Sequence, residues 1–114
     1  MSEIIKLKCT NKTKALKELI GELKKALSMN SELICEQKML NDTVGLLVFE
    51  KYYLRIKCNV ALSVVITENN EEQEAIIVSC GGGDLFNVTL GADKAFASKV
   101  VIVLAQLGFV EVAY

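Results

Sequence analysis

From Leu54 to Thr67 the chain alternates strictly. Leu54, Ile56, Cys58, Val60, Leu62, Val64 and Ile66 take one side, and Arg55, Lys57, Asn59, Ala61, Ser63, Val65 and Thr67 take the other. A period of two places successive side chains on opposite faces of an extended strand, so this stretch predicts a long β-strand with one buried face. The polar run Glu68-Asn69-Asn70-Glu71-Glu72 follows as a turn. Glu74 to Cys80 then repeats the alternation through Ile76, Val78 and Cys80. The two segments predict an antiparallel hairpin. If both apolar sets share a face, paired residue numbers sum to an even value, and Leu62 stands opposite Val78 or Cys80.

Upstream the period changes. Leu16, Leu19, Ile20, Leu23 and Leu27 recur at three- and four-residue spacing between Thr13 and Ser28, with Lys17, Glu18, Glu22, Lys24 and Lys25 between them. That pattern predicts an amphipathic helix with a solvated charged face. Glu32–Leu40 and Thr43–Tyr53 read as two strands joined by a turn at Asn41-Asp42. Downstream, Leu85–Leu90 reads as a short strand. Gly91-Ala92-Asp93 resembles a helix start that Asp93 can cap, and a helix is expected from about Lys94 to Leu107, ending at Gly108. The β-branched run Val100–Val103 also suits a buried strand; length and the flanking alanines favour the helix. The expected architecture is α+β in the order α-β-β-β-β-α: an antiparallel sheet of about four strands with an N-terminal and a C-terminal helix on one face.

At 114 residues, one domain over residues 1–114 is expected, and 52% apolar against 24% charged residues can support a packed core. A net charge of −1 gives no basic footprint for nucleic acid. The N-terminal segment lacks the pattern of a secretory signal, and the apolar run around Val100–Ala105 falls well short of the roughly 20 residues of a membrane span. The cytoplasm is therefore the expected compartment, with neither membrane nor nucleic acid as partner. Cys9, Cys35, Cys58 and Cys80 form no C-x-x-C pair, and no histidine is present, so neither a metal site nor a cofactor pattern is read. Free, mostly buried thiols are expected in a reducing compartment. The lack of histidine also removes the usual serine and cysteine nucleophile arrangements, and no carboxylate pair is singled out by spacing. No catalytic residue is assigned.

Two segments can carry binding. Gly81-Gly82-Gly83 gives the backbone freedom to approach an anion, or to make a tight bend or bulge at a strand end; it lacks the spacing of a P-loop, and Asp84 follows it. Glu50-Lys51-Tyr52-Tyr53-Leu54-Arg55 gathers charges and phenols. On a strand, Lys51, Tyr53 and Arg55 point one way, and Glu50 and Tyr52 the other.

Val48-Phe49-Glu50-Lys51-Tyr52-Tyr53 with Leu54-Arg55, the glycine triplet and Leu90-Gly91-Ala92-Asp93 together resemble a family of small uncharacterised bacterial proteins. The resemblance spans most of the chain and implies no particular activity.

Two functions are weighed. The first is a noncatalytic binding or self-assembly module, expected because Ala61 and Val65 lie on the outer side of the long strand and the mean hydropathy is +0.36. The alternative is a small-ligand protein, for an anion or metabolite, with Lys51, Tyr53, Arg55, Gly81, Gly82 and Gly83 as contacts. A cysteine redox role stands third.

Overall fold

The structure, a computed structural model, describes residues 2–53, 57–81 and 92–113. The elements run β1 (Ser2–Cys9), α1 (Leu16–Leu27), β2 (Glu32–Met39), β3 (Val44–Tyr53), β4 (Cys58–Glu68), β5 (Gln73–Gly81), α2 (Ala92–Gln106) and β6 (Val110–Val112). The fold is α+β, with all pairings antiparallel in one sheet ordered β2-β3-β4-β5-β1-β6.

Six strands stand where about four were expected, because β1 and β6 join the sheet beside β5. Leu7 pairs with Ala75 and with Glu111, so β1 lies inside the sheet between two partners. The expected strand at Leu85–Leu90 lies outside the described residues. α2 is described from Ala92, and the cap expected from the Asp93 side chain lies outside the described residues. Gly108 adopts φ 98°, the left-handed conformation that stops a helix, and the chain turns directly into β6.

Both helices lie on one face of the sheet. Leu16, Leu19, Ile20, Leu23 and Leu27 of α1 are buried against β3 and β4. α2 packs over β5, β4 and β1 through Phe96, Ala97, Val100 and Leu104. They meet Leu47 and Phe49 of β3, Val60, Leu62, Val64 and Ile66 of β4, Ala75 and Ile77 of β5, and Leu7 and Cys9 of β1. The whole core therefore sits between one sheet face and two helices.

The hairpin of β4 and β5 departs from its expected register. Leu62 faces Ser79 rather than Val78 or Cys80, and Glu68 faces Gln73, so paired numbers sum to odd values. The turn decides this. Asn69 Oδ1 accepts the amides of Glu71 and Glu72 at 2.9 and 2.8 Å, and the Asn69 amide donates to the Glu72 carbonyl at 3.0 Å, closing a four-residue loop between Glu68 and Gln73. β5 is apolar on both sides, so sliding by one residue exchanges one apolar set for another: Ala75 and Ile77 go under the helices, and Ile76, Val78 and Cys80 go to the opposite face.

β4 begins at Cys58, later than the alternation suggested; Tyr53 pairs with Cys58 and Lys57 has φ 52°. The β2–β3 turn is as expected. Leu40, Asn41 and Asp42 are all left-handed (φ 52°, 56° and 62°), and the Thr43 hydroxyl donates to the Leu40 carbonyl at 2.6 Å.

Candidate functional site

The helices leave the second sheet face open. The register lays its side chains out in rows across the strands. One row runs Ile4, Val78, Ser63, Val48, Cys35, and the next Lys6, Ile76, Val65, Leu46, Gln37. Beyond them lie Lys8, Glu74, Thr67, Val44, Met39 on one side, and Ser2, Cys80, Ala61, Glu50, Glu32 on the other. Val110 and Val112 of β6 continue this face past Lys8 and Lys6. No described element packs over it. Ile4 is 44% exposed, Ile76 42%, Met39 49% and Val110 65%, while Val44, Leu46, Val48, Val65 and Val78 are half-buried by their neighbours within the sheet.

The centre of this face is aliphatic and its charge lies at two corners. At the β1 corner, Lys6 and Lys8 make half-exposed pairs with Glu74 (3.7 Å) and Glu72 (3.3 Å). At the diagonally opposite corner, Glu32 of β2 faces Glu50 of β3 directly, a like-charge cross-strand pair with no cation against it among the described residues. Strand β2 forms an exposed edge. A register shift between Leu33 and Cys35 and the charged Glu36 and Lys38 blunt it for strand addition.

Two of the side chains expected to bind a small ligand, Lys51 and Tyr53, turn to the other face. Lys51 and Tyr53 point toward the helices, as their odd numbering beside buried Leu47 and Phe49 requires, and Glu50 lies on the open face. The Lys51 ammonium lies 4.7 Å from the centre of the Tyr53 ring, and that ring meets Phe96 of α2 edge-on at 6.5 Å. Lys99, three residues past Phe96 on α2, lies beside Lys51. Burial, and then the charge of Lys99, hold the Lys51 ammonium below its ordinary pKa of 10.5. Sequence reasoning missed Lys99, which only the docking of α2 brings to Lys51.

Gly81 ends β5 opposite Val60, which in turn faces Lys51, so Gly81 and Lys51 share a row and a face two strands apart, about 10 Å. Arg55, Gly82 and Gly83 lie outside the described residues. Ser79, also on the helix face, has a buried hydroxyl with no hydrogen-bond partner among the described residues.

A cavity of about 500 Å³ lies elsewhere, between the β1–α1 connection (Thr10 to Ala15) and the turn residues Asn70 and Glu71. It is polar and open. Among the described residues no cluster of histidine, cysteine, aspartate or glutamate is arranged to hold a metal ion, and no helix is long and apolar enough to cross a membrane. Cys9 is buried, but Cys35 is only half-buried and Cys80 is exposed, both on the open face, so the expectation of mostly buried thiols fails for two of these three free cysteines. The odd register of β5 is what carries Cys80 outward.

These features define a class: a small α+β protein with two helices on one side of an antiparallel sheet and an open aliphatic face on the other. The chain belongs to a family described as one of unknown function, DUF6054, which matches residues 1–108. No curated protein matches it. Among solved structures it is similar in fold to the Ran-binding protein Mog1p of Saccharomyces cerevisiae, with a TM-score of 0.52 and 14% identity over 96% of this chain and 67% of that one.

Proposed function

We propose that this protein is a noncatalytic binding and self-assembly module that works through its open sheet face. One observation carries the reading: the aliphatic rows centred on Val65, Leu46, Val48, Ile76 and Val78 have no described element over them. Burying such a face contributes roughly 25 cal/mol per Å² of apolar area, before the losses of rotational and side-chain freedom on association. The fold likeness to a protein described as Ran-binding agrees with a binding role and identifies no partner. The family resemblance is to bacterial cytosolic proteins, and a cytoplasmic module is part of the proposal.

The test is light scattering after size exclusion over a range of concentrations, with Val65→Asp beside the wild type. A wild-type assembly that Val65→Asp dissociates supports the reading. A wild type that remains monomeric up to millimolar concentration overturns it.

Lys51 and Lys99 favour a second reading, a small-anion site on the helix face, because two ammonium groups stand together without a carboxylate among the described residues. Titration with inorganic phosphate, followed by the Lys51 and Lys99 NMR signals, tests it. Shifts that saturate, and that disappear in Lys99→Gln, support the site; linear drift refutes it.

A further inference from the structure

We infer that the occupant of the open face is a second copy of this chain, packed sheet to sheet about a two-fold axis that runs along one diagonal of the face and brings Lys6 and Lys8 of each copy against Glu50 and Glu32 of the other. The inference rests on the self-assembly reading above and specifies its geometry.

Area comes first. The strands from β2 to β1 stand about 4.8 Å apart, and the rows from Ser2 to Lys8 cover seven residues at about 3.4 Å each, so the face is nearly square and projects roughly 600 Å². Side-chain relief and the flanking Val110 and Val112 raise the accessible area above that projection. A standard interface removes roughly 800 Å² from each partner, so one such face against its copy reaches the range of specific association. It would also be isologous, the arrangement of most small homo-oligomers.

Charge then selects the axis. The corner of Lys6 and Lys8, which Glu74 and Glu72 balance in the single chain, and the acidic corner, Glu32 and Glu50, are diagonal to each other. A two-fold axis through those corners sets lysine on lysine and glutamate on glutamate. An axis across the strands sets the acidic corner on Met39, and one along the strands sets it on Ser2, so that in either case the carboxylates face no cation among the described residues. Only the other diagonal, from Ser2 to Met39, faces Glu50 with Lys6 of the copy and Glu32 with Lys8. The same rotation places Leu46 and Val78 against themselves and Val48 against Ile76, so the aliphatic rows meet aliphatic rows. In a square face a diagonal axis crosses the strands of the two sheets at nearly a right angle, one of the two packing modes available to sheets.

The arrangement also accounts for Glu32 and Glu50, whose direct juxtaposition is unfavourable in the single chain and becomes a receptor for two ammonium groups in the pair. Lys6 and Lys8 are free to exchange partners, because their pairs with Glu74 and Glu72 are half-exposed and weak.

The experiment uses two variants of the whole chain, Glu32→Lys with Glu50→Lys, and Lys6→Glu with Lys8→Glu, each shown to be folded by circular dichroism. Alone, each repels itself at both corners, and its self-association should weaken about tenfold or more relative to wild type. Mixed in equal amounts, the two should recover a heterodimer with near wild-type affinity, read as mass by sedimentation equilibrium. If the wild type assembles and the mixture does not recover, or if each variant assembles alone as well as wild type, the diagonal geometry is wrong while the self-assembly reading stands. A monomeric wild type removes both.

Discussion

The Glu68 carboxylate, at the end of β4, accepts the backbone amide of Leu16 at 3.0 Å and so caps α1 from 52 residues away. The local sequence supplies no such cap: Ala15 holds the N-cap position in extended conformation with no side-chain hydrogen bond. The same oxygen accepts from Gln73 Nε2 at 3.0 Å and lies 3.3 Å from the Lys12 ammonium. Gln73, itself buried, donates to the Lys14 carbonyl at 2.6 Å. One carboxylate thus ties the β4–β5 hairpin to the entry of α1. Glu68→Ala strands the Leu16 amide and one Gln73 donor and should cost about 1–3 kcal/mol. Glu68→Gln, which keeps an acceptor, should cost less. Urea unfolding with an unchanged m-value measures both. Equal stability of all three proteins would show that the cap contributes nothing.

At Gly45 the side chains of α1 press close against β3. A Cβ there would lie 2.9 Å from Ile20 Cδ1 and 3.5 Å from Leu16 Cδ1. The Ile20 terminus can rotate to admit a methyl group, so Gly45→Ala should be mild. Gly45→Val has to push the helix and should cost about 1–3 kcal/mol. Thermal unfolding should rank them wild type, alanine, valine, and a valine variant as stable as wild type would contradict this packing.

Lys51 should make stability depend on pH in a particular direction. Its folded pKa is depressed below 10.5, first by burial and then by Lys99. At neutral pH the folded state therefore holds this charge at a cost. Between the depressed pKa and 10.5 the unfolded chain binds more protons at this site, so the contribution of Lys51 to stability rises with pH. Lys51→Met loses the contact of the ammonium with the Tyr53 ring but not the burial of the stem. Relative to wild type, it should be at its best at neutral pH, lose ground as the pH rises through the depressed pKa toward 10.5, and level off above it. A stability difference flat from pH 7 to 11 would remove this account.

Cysteine accessibility reports on the open face. Cys80 is exposed and Cys9 fully buried, so iodoacetamide should label Cys80 in the native protein and spare Cys9 until unfolding. Because Cys80 borders the aliphatic rows, its labelling should slow as protein concentration rises. Peptide mass analysis of the alkylated chain resolves the sites, and a rate independent of concentration would place any association elsewhere.

The central strands and α1 were legible because each has a clear period, three and four in Leu16–Leu27 and two in Val60–Ile66, whereas α2 was read from its length and flanking alanines because Val100–Val103 also suits a strand. β1 carried a readable alternation as well, with Ile5, Leu7 and Cys9 toward the core and Ile4, Lys6 and Lys8 away from it, but in a sequence it stood isolated from any partner. β6 is three residues long and exists only because Gly108 turns the chain back beside β1. The register of β5 was not decidable by hydrophobicity, since Ala75-Ile77 and Ile76-Val78 satisfy the same pattern; the Asn69 turn and the burial of Gln73 fixed it. Of the expected binding residues, Lys51 and Tyr53 share the helix face, whereas Ala61 and Val65, expected on the outer side of β4, lie on the open face.

The strand order also constrains the sequence of events in synthesis. Residues 2–9 leave the ribosome before any strand that will flank them, and they wait until residues 73–81 have emerged to find one neighbour and residues 110–112 to find the other. The meander from β2 to β5 can form from nearby segments, whereas β1 must be held out of it and then admitted at its edge. A nascent chain stopped short of Gln73 would therefore carry Ile5, Leu7 and Cys9 without the β5 neighbour that receives them, and a strand made before its partners is among the last to reach its place.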